Sequence, residues 1–411
     1  MRNSPVYYGW FVLAASAVSE MLVQGATSYS AGLFVLPLQA EFHLSRTAAN
    51  SAILILFLGI MLVAPLAGRL LDARPIRHMM SVGAVVLALS AIGIATSSSL
   101  LVIALILLLP MAGAVMVLGP LNTSTLASRW FYRHRGLALG IAAVATSGGG
   151  FTVTPILSRA IQQYGWRTAL AYEGVVLFVI ILALALLVVR DRPSDMNLAD
   201  HPENQARANA AAVASESLRW TDILSSRAFW IPCLTVATIS ATSQAIVVTL
   251  VPYGVQLGMK PVAAALPISA FAIAAAITKI AAGVLSDRIN QRYLLIAAAL
   301  CMTLSWLTLS FFAVTGALFA GAGLAGVALG LALPSSAAMI ASSFSSLRFG
   351  QVWGWGYALT AALLIVSVLF AGFMFDRFRS YHLAFLIFAA VLAALSLLTV
   401  LVAPTPAAAR S

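Results

Sequence analysis

Charged side chains are scarce in this chain. Asp, Glu, Lys and Arg make up 9% of its 411 residues, where a water-soluble domain carries about 25%. So few charges cannot cover a surface facing water. The hydrophobic share of 62% and the mean hydropathy of +1.00 make the bilayer the natural solvent. Cysteine is nearly absent: Cys233 and Cys301 lie singly in apolar runs, which excludes a disulfide framework and a C-x-x-C metal site. Ser147-Gly148-Gly149-Gly150 has neither the preceding strand nor the lysine of a phosphate-binding loop; it suits a close-packing or bending point. With no nucleophile–base pair, metal cluster or cofactor motif, the chain reads as a non-enzyme without cofactor or metal. Any work it does must draw on ion or solute gradients.

What the sequence does have is apolar length. A spanning helix needs roughly 20 mostly apolar residues. Such runs recur at 8–37, 48–70, 78–97, 100–127, 136–158, 168–189, 228–256, 262–286, 293–315, 317–344, 351–374 and 381–403. The narrowest breaks fall at Thr96–Ser99 and near Thr315–Gly316. The runs are too long for barrel strands and do not alternate, so twelve transmembrane helices are predicted, the first of them uncleaved. The net charge of +11 reports topology, not nucleic-acid binding. With the N-terminus inside, sixteen of the 23 Lys and Arg fall in segments on one side, from Arg2 and Arg69 to Arg348 and Arg410. Six fall on the other: Arg46, Arg159, Arg167, Lys260, Arg377 and Arg379. This is the positive-inside asymmetry. It predicts a multi-pass protein of the cell (inner) membrane with both termini cytoplasmic.

One polar segment interrupts the rhythm. Residues 191–226 read as a cytoplasmic linker, partly helical around Gln205–Leu218, between bundles at 1–190 and 227–411. The two halves repeat. Gly68-Arg-Leu-Leu-Asp72-Ala-Arg-Pro-Ile-Arg77 returns 215 residues later (283 − 68) as Gly283-Val-Leu-Ser-Asp287-Arg-Ile-Asn-Gln-Arg292. Arg135-Gly136-Leu-Ala-Leu-Gly140 is echoed loosely by Phe349-Gly350-Gln-Val-Trp-Gly354. Internal symmetry of this kind marks transporter architecture. Glycine lets helices approach closely. The aspartate can pair with a base or accept from a helix N-terminus. Gly68, Asp72, Arg77, Gly283, Asp287 and Arg292 are therefore expected to form a conformational latch.

These paired loops, the helix count and the central linker resemble the major facilitator superfamily over the whole chain. The resemblance implies an all-α fold of two six-helix bundles around a cavity that opens alternately to each side. Helices 1, 2, 4, 5, 7, 8, 10 and 11 would line that cavity, with 3, 6, 9 and 12 towards lipid.

Ionisable groups inside a membrane cost roughly 2.5–3.5 kcal/mol on insertion scales and are functional candidates by default. Lys279 precedes Asp287 by eight residues, about 12 Å into the core, where an ammonium can receive a carboxylate. Glu20 lies about 15 Å deep in helix 1. Burial favours its neutral form and a nearby ammonium the charged one, which suits a proton carrier; a static ion pair with Lys279 or a hydrogen-bonded core acid remain open. Glu173 lies nearer the rim, where a bond to another rim group is expected.

Tyr7-Tyr8-Gly9-Trp10, the run from Tyr29 to Phe42 with Ser45-Arg46, and Arg129-Trp-Phe-Tyr-Arg133-His-Arg135-Gly136 resemble the monocarboxylate porter and oxalate–formate antiporter branch. In that branch a basic residue of helix 8 binds the substrate carboxylate, and Lys279 stands at that position. The chain departs from the branch at Ala275, at Tyr29-Ser30-Ala31 and at Thr360, where related carriers place an acid or a further cation. One fixed cation suits a monoanion. Tyr29 and Asn122 join Lys279 as candidate substrate residues, and Glu20 is the candidate for proton coupling. The expected function is secondary transport of a small organic anion, a monocarboxylate, by proton symport or anion exchange. The partners would be the carboxylate, a proton or counter-anion and the bilayer, the chain acting as a monomer. Proton-coupled efflux of drugs or other small molecules is the alternative; a non-transporting receptor is a third.

Overall fold

A computed structural model of the chain describes residues 7–196, 220–344 and 348–401. Most of the linker, including the helix expected around Gln205–Leu218, lies outside the described residues. Twelve apolar helices long enough to cross a membrane run through the rest. They are α1 (Gly9–Phe42), α2 (Arg46–Ala73), α3 (Ile76–Thr96), α4 (Leu100–Trp130), α5 (Arg135–Tyr164) and α6 (Trp166–Leu187), then α7 (Arg227–Gln256), α8 (Pro261–Ser286), α9 (Gln291–Phe311), α10 (Thr315–Ser343), α11 (Phe349–Phe378) and α12 (His382–Leu401). Both narrow breaks exist. The second falls on Phe312–Val314, so that Thr315, expected in the gap, begins α10.

α1 runs five residues past its predicted end because Pro37 does not stop it. The rod passes through a π-turn at Gly25–Tyr29 and a 3₁₀ turn at Ala31–Phe34, then restarts as an α-helix at Val35. Pro37 therefore sits in a first turn, where it has no helical hydrogen bond to lose. His43, in the left-handed conformation (φ 53°, ψ 37°), ends the rod.

α4 is also interrupted. A π-turn spans Leu107–Met111 around Pro110, and Gly119 (φ −101°, ψ −142°) breaks the helix before Pro120 restarts it. α1 repairs the break: Ser19 Oγ donates to Leu118 O (3.0 Å), and Thr123 Oγ1 donates to Ser16 O (3.1 Å). Non-helical backbone at membrane depth is tolerated only where protein supplies such partners.

The opening aromatic run serves the same stitching. Tyr7 Oη donates to Trp130 O (2.9 Å), Tyr8 Oη to Val188 O (2.8 Å) and Trp130 Nε1 to Arg190 O (2.9 Å). The start of α1 is thus tied to the ends of α4 and α6.

The helices pack into two units. One holds Met1–Ser215 with Phe344–Ala358; the other holds Glu216–Ser343 with Leu359–Ser411. The first ten residues of α11 thus belong with the first half of the sequence. Glycines set the closest crossings. In the first unit, a Cβ on Gly149 of α5 would lie 2.2 Å from Met21 O and 2.4 Å from Gly25 N of α1. In the second, Cβ atoms on Gly326 and Gly330 of α10 would fall 2.3 Å from Phe271 O and 2.9 Å from Ala275 O of α8. Small residues let membrane helices pack backbone to backbone; Gly326 and Gly330, four apart, do so in α10, and the triple glycine does so in α5.

Candidate functional site

Lys279 lies in the second unit on α8 and is 1% exposed. Ala275 and Ala282, spaced to share its face, are buried as well, while Ile273, Ile277 and Ile280 on the opposite face are exposed. The helical period thus turns the lysine inward. Its turn packs against Gly330 of α10, where an added Cβ would be 3.1 Å from Lys279 N.

Glu20 lies in the first unit and is 1% exposed. Thr146 Oγ1 of α5 donates to its Oε1 at 2.6 Å. Tyr29 lies against the glycine run of the same helix, its ring 3.0 Å from where a Cβ on Gly150 would stand. Ser147 hydrogen-bonds Tyr29, and both Tyr29 and Tyr357 lie within electrostatic reach of Glu20. The Tyr29 side chain is only partly covered by the helices around it. The fold thus gathers a carboxyl, two phenols and two hydroxyls from α1, α5 and the start of α11. Thr146, Ser147 and Tyr357 had no signal in the sequence beyond being polar residues in apolar runs. Asn122 follows the α4 break, is fully buried, and neither amide atom has a hydrogen-bond partner among the described residues.

The first repeat loop is built as a helix cap supplied from elsewhere in the chain. Asp72 accepts from Gly350 N (3.1 Å) and Gln351 N (2.6 Å) at the start of α11, and Arg129 Nη2 approaches its Oδ1 at 3.4 Å. Arg348, which precedes α11, has no side-chain oxygen to accept from these N–H groups, as a helix start prefers. Asp72 does that work. The crossing requires Gly68, whose Cβ would fall 2.0 Å from Gly350 O, and Gly354, whose Cβ would fall 2.5 Å from Ala64 O. Arg129 also donates to Leu71 O (2.6 Å).

Arg77 and Arg292 each reach the end of another helix. Arg77 Nη2 donates to Leu186 O at the end of α6 (2.7 Å), and Arg292 Nε donates to Thr399 O near the end of α12 (2.9 Å). In each repeat the arginine satisfies a carbonyl at the negative end of its bundle's last helix. Gly283 is buried and Asp287 half-buried where α8 ends.

At the opposite end of the first unit lies a clamp that sequence reasoning missed. Glu41 accepts from Trp166 Nε1 (2.8 Å) and Arg167 Nε (3.0 Å), and Arg167 also donates to Ala95 O. The end of α1 is thereby held to α3 and α6. The rim partner expected for Glu173 is not found: its Oε1 is buried with no hydrogen-bond partner among the described residues.

The profile of the Major Facilitator Superfamily matches residues 16–314 and 234–411. The mouse protein named Monocarboxylate transporter 11 is 32% identical over 284 residues, covering 68% of this chain and 60% of that protein. The Oxalate:formate antiporter of Oxalobacter formigenes is 25% identical over 253 residues, covering 61% and 56%. The chain spans about half to three-fifths of the length of the curated relatives it matches. Among solved structures, the proton:xylose symporter XylE bound to 6-bromo-6-deoxy-D-glucose superposes with a TM-score of 0.72 at 15% identity, covering 97% of this chain and 96% of that one. The shared twelve-helix fold, the sequence relatives and the profile agree: the chain belongs to the major facilitator superfamily, whose members are membrane transporters and not enzymes.

Proposed function

We propose that the chain is a secondary active transporter of a small organic anion, a monocarboxylate by preference, working by alternating access as a monomer in the cell (inner) membrane with both termini cytoplasmic. The observation that carries the reading is Lys279, an ammonium held inside α8 at 1% exposure. Relatives named for monocarboxylate and for oxalate and formate transport support the substrate class. An amine in that position is costly unless it has a task. Charge-assisted hydrogen bonds to a carboxylate are about twice as strong as neutral ones. Because Lys279 is enclosed, an anion reaches it only after surrounding helices part, which couples binding to the conformational cycle. Tyr29 and Asn122 supply hydrogen bonds, and Glu20 on Thr146 carries the proton in symport. Gly68 and Asp72, gripping the first turn of α11, form the latch of one conformational state.

The test is uptake of radiolabelled pyruvate, lactate, formate and oxalate by proteoliposomes. Monoanions are expected to accumulate, and Lys279→Ala should lower uptake at least tenfold to a hundredfold, the scale of about 1.5–3 kcal/mol for a bond to a charged group. Unchanged uptake in a correctly inserted variant refutes the assignment. Transport of cationic drugs in place of anions would favour efflux.

A further inference from the structure

The break in α4 creates a helix start inside the membrane. Gly119 turns the backbone out of the helix, and Pro120 opens a second segment, Pro120–Trp130, of eleven residues. The first N–H groups of any helix lack a carbonyl one turn back. Here Pro120 has no N–H, and Thr123 N reaches Gly119 O at 3.2 Å. Leu121 N and Asn122 N find no partner among the described residues: the bend takes the preceding carbonyls out of reach, and no side chain caps the segment. α1 stitches the other side of the break, Ser19 Oγ donating to Leu118 O and Ser16 O accepting from Thr123 Oγ1. The acceptors are thus satisfied and the donors are left open.

The Asn122 side chain adds to the same end. Helical Cβ atoms tilt towards the N-terminus, so the amide leans back over the open N–H groups. Leu121 and Asn122 are both 0% exposed, and Asn122 Nδ2 also lacks a partner among the described residues. Two backbone donors and one amide donor therefore gather, buried, within one turn. Buried N–H groups are nearly always paired, and leaving them unpaired is costly. At the positive end of a half-helix, such donors complement an anion. A carboxylate matches the set: one oxygen can accept from the two backbone groups and the other from Asn122 Nδ2.

We infer that the α4 break is a carboxylate-binding site of the first unit, formed by Leu121 N–H, Asn122 N–H and Asn122 Nδ2 without a formal cation. Every residue from Ala114 to Phe131 is buried, so the anion enters only when the helices around α4 part. The ligand class rests on the anion-transport reading, but the site does not depend on Lys279, which lies in the other unit.

Nuclear magnetic resonance of the purified full chain in detergent tests it directly. Leu121-Asn122 is the one Leu-Asn pair in the sequence, so carbonyl-13C leucine with 15N asparagine isolates the Asn122 amide signal. Formate should move that signal saturably, and formamide, its neutral counterpart, should not. No shift, or equal shifts with both, overturns the proposal. Lys279→Ala should keep the shift, and its loss there overturns the separate site. Full uptake by Lys279→Ala with the shift intact would refute the Lys279 assignment and leave this site standing. Asn122→Asp places a carboxylate over the donors: formate should no longer raise its thermal midpoint, and formate uptake should fall about tenfold or more, the scale of a lost bond to a charged group. A midpoint still raised by formate in that variant counts against the site. If Asn122→Asp does not fold, the formate and formamide titrations of the wild type decide alone.

Discussion

Replacing Asp72 should free the first turn of α11. Its carboxylate holds the N–H groups of Gly350 and Gln351 and faces Arg129, with side-chain exposures of 7% for the aspartate and 2% for the arginine. At that burial, solvent screens little of the charge. Asp72→Asn keeps one carbonyl oxygen, so it loses one charge-assisted bond and the attraction to Arg129, about 2 kcal/mol. Asp72→Ala loses both bonds and takes the carboxylate away from the buried guanidinium, about 3–5 kcal/mol. At roughly 1.4 kcal/mol per factor of ten, the asparagine variant should open the turn about 30-fold more often and the alanine variant at least 100-fold. Hydrogen exchange read by mass spectrometry on the segment beginning at Phe349 measures this. Faster exchange should be confined to the Gly350 and Gln351 amides, while mid-helix α11 amides keep their protection. Wild-type exchange at those two amides in Asp72→Ala would refute the capping argument and, with it, the latch.

Gly149→Ala should destabilise the first unit by about 1–3 kcal/mol, the usual cost of overpacking, since its methyl would fall 2.2 Å from Met21 O; a thermal midpoint equal to wild type would contradict the crossing. Arg77→Gln and Arg292→Gln, which each lose one bond to a helix C-terminus, should lower stability by a similar amount, about 1 kcal/mol. A loss in only one of them, seen in thermal unfolding, would deny their equivalence. Glu20→Gln keeps an oxygen for Thr146 Oγ1 and should fold normally while losing the dependence of uptake on a proton gradient. A preserved pH response in proteoliposomes would remove Glu20 from proton coupling.

Much of the fold was legible because membrane helices are written as length and hydropathy, both of which are local. All twelve were found, and the errors lie where a local rule met a tertiary partner. Pro37 reads as a stop, yet π and 3₁₀ turns place it in a fresh first turn. Gly119-Pro120 lay within an unbroken apolar run, and the break is sustained by Ser16 and Ser19, a hundred residues away.

The site divides the same way. Asp72, Gly68, Lys279 and Glu20 stood out because charge or a 215-residue repeat in an apolar chain has few local explanations. Thr146, Tyr357, Arg129 and the Glu41–Arg167 clamp did not, since a hydroxyl or a rim charge gains meaning only from its neighbour.

By itself the sequence determined the solvent, the number of spans, the twofold repeat and the few ionisable groups that membrane burial makes costly. Only the tertiary structure decided which groups those side chains meet. It gave Asp72 the bare N-terminus of α11 to cap, sent the paired arginines to the ends of α6 and α12, and left Glu173 Oε1 buried with no hydrogen-bond partner among the described residues. Hydrophobic burial depends on composition along the chain, whereas a hydrogen bond depends on two atoms brought within about 3 Å, and no single stretch of sequence contains both.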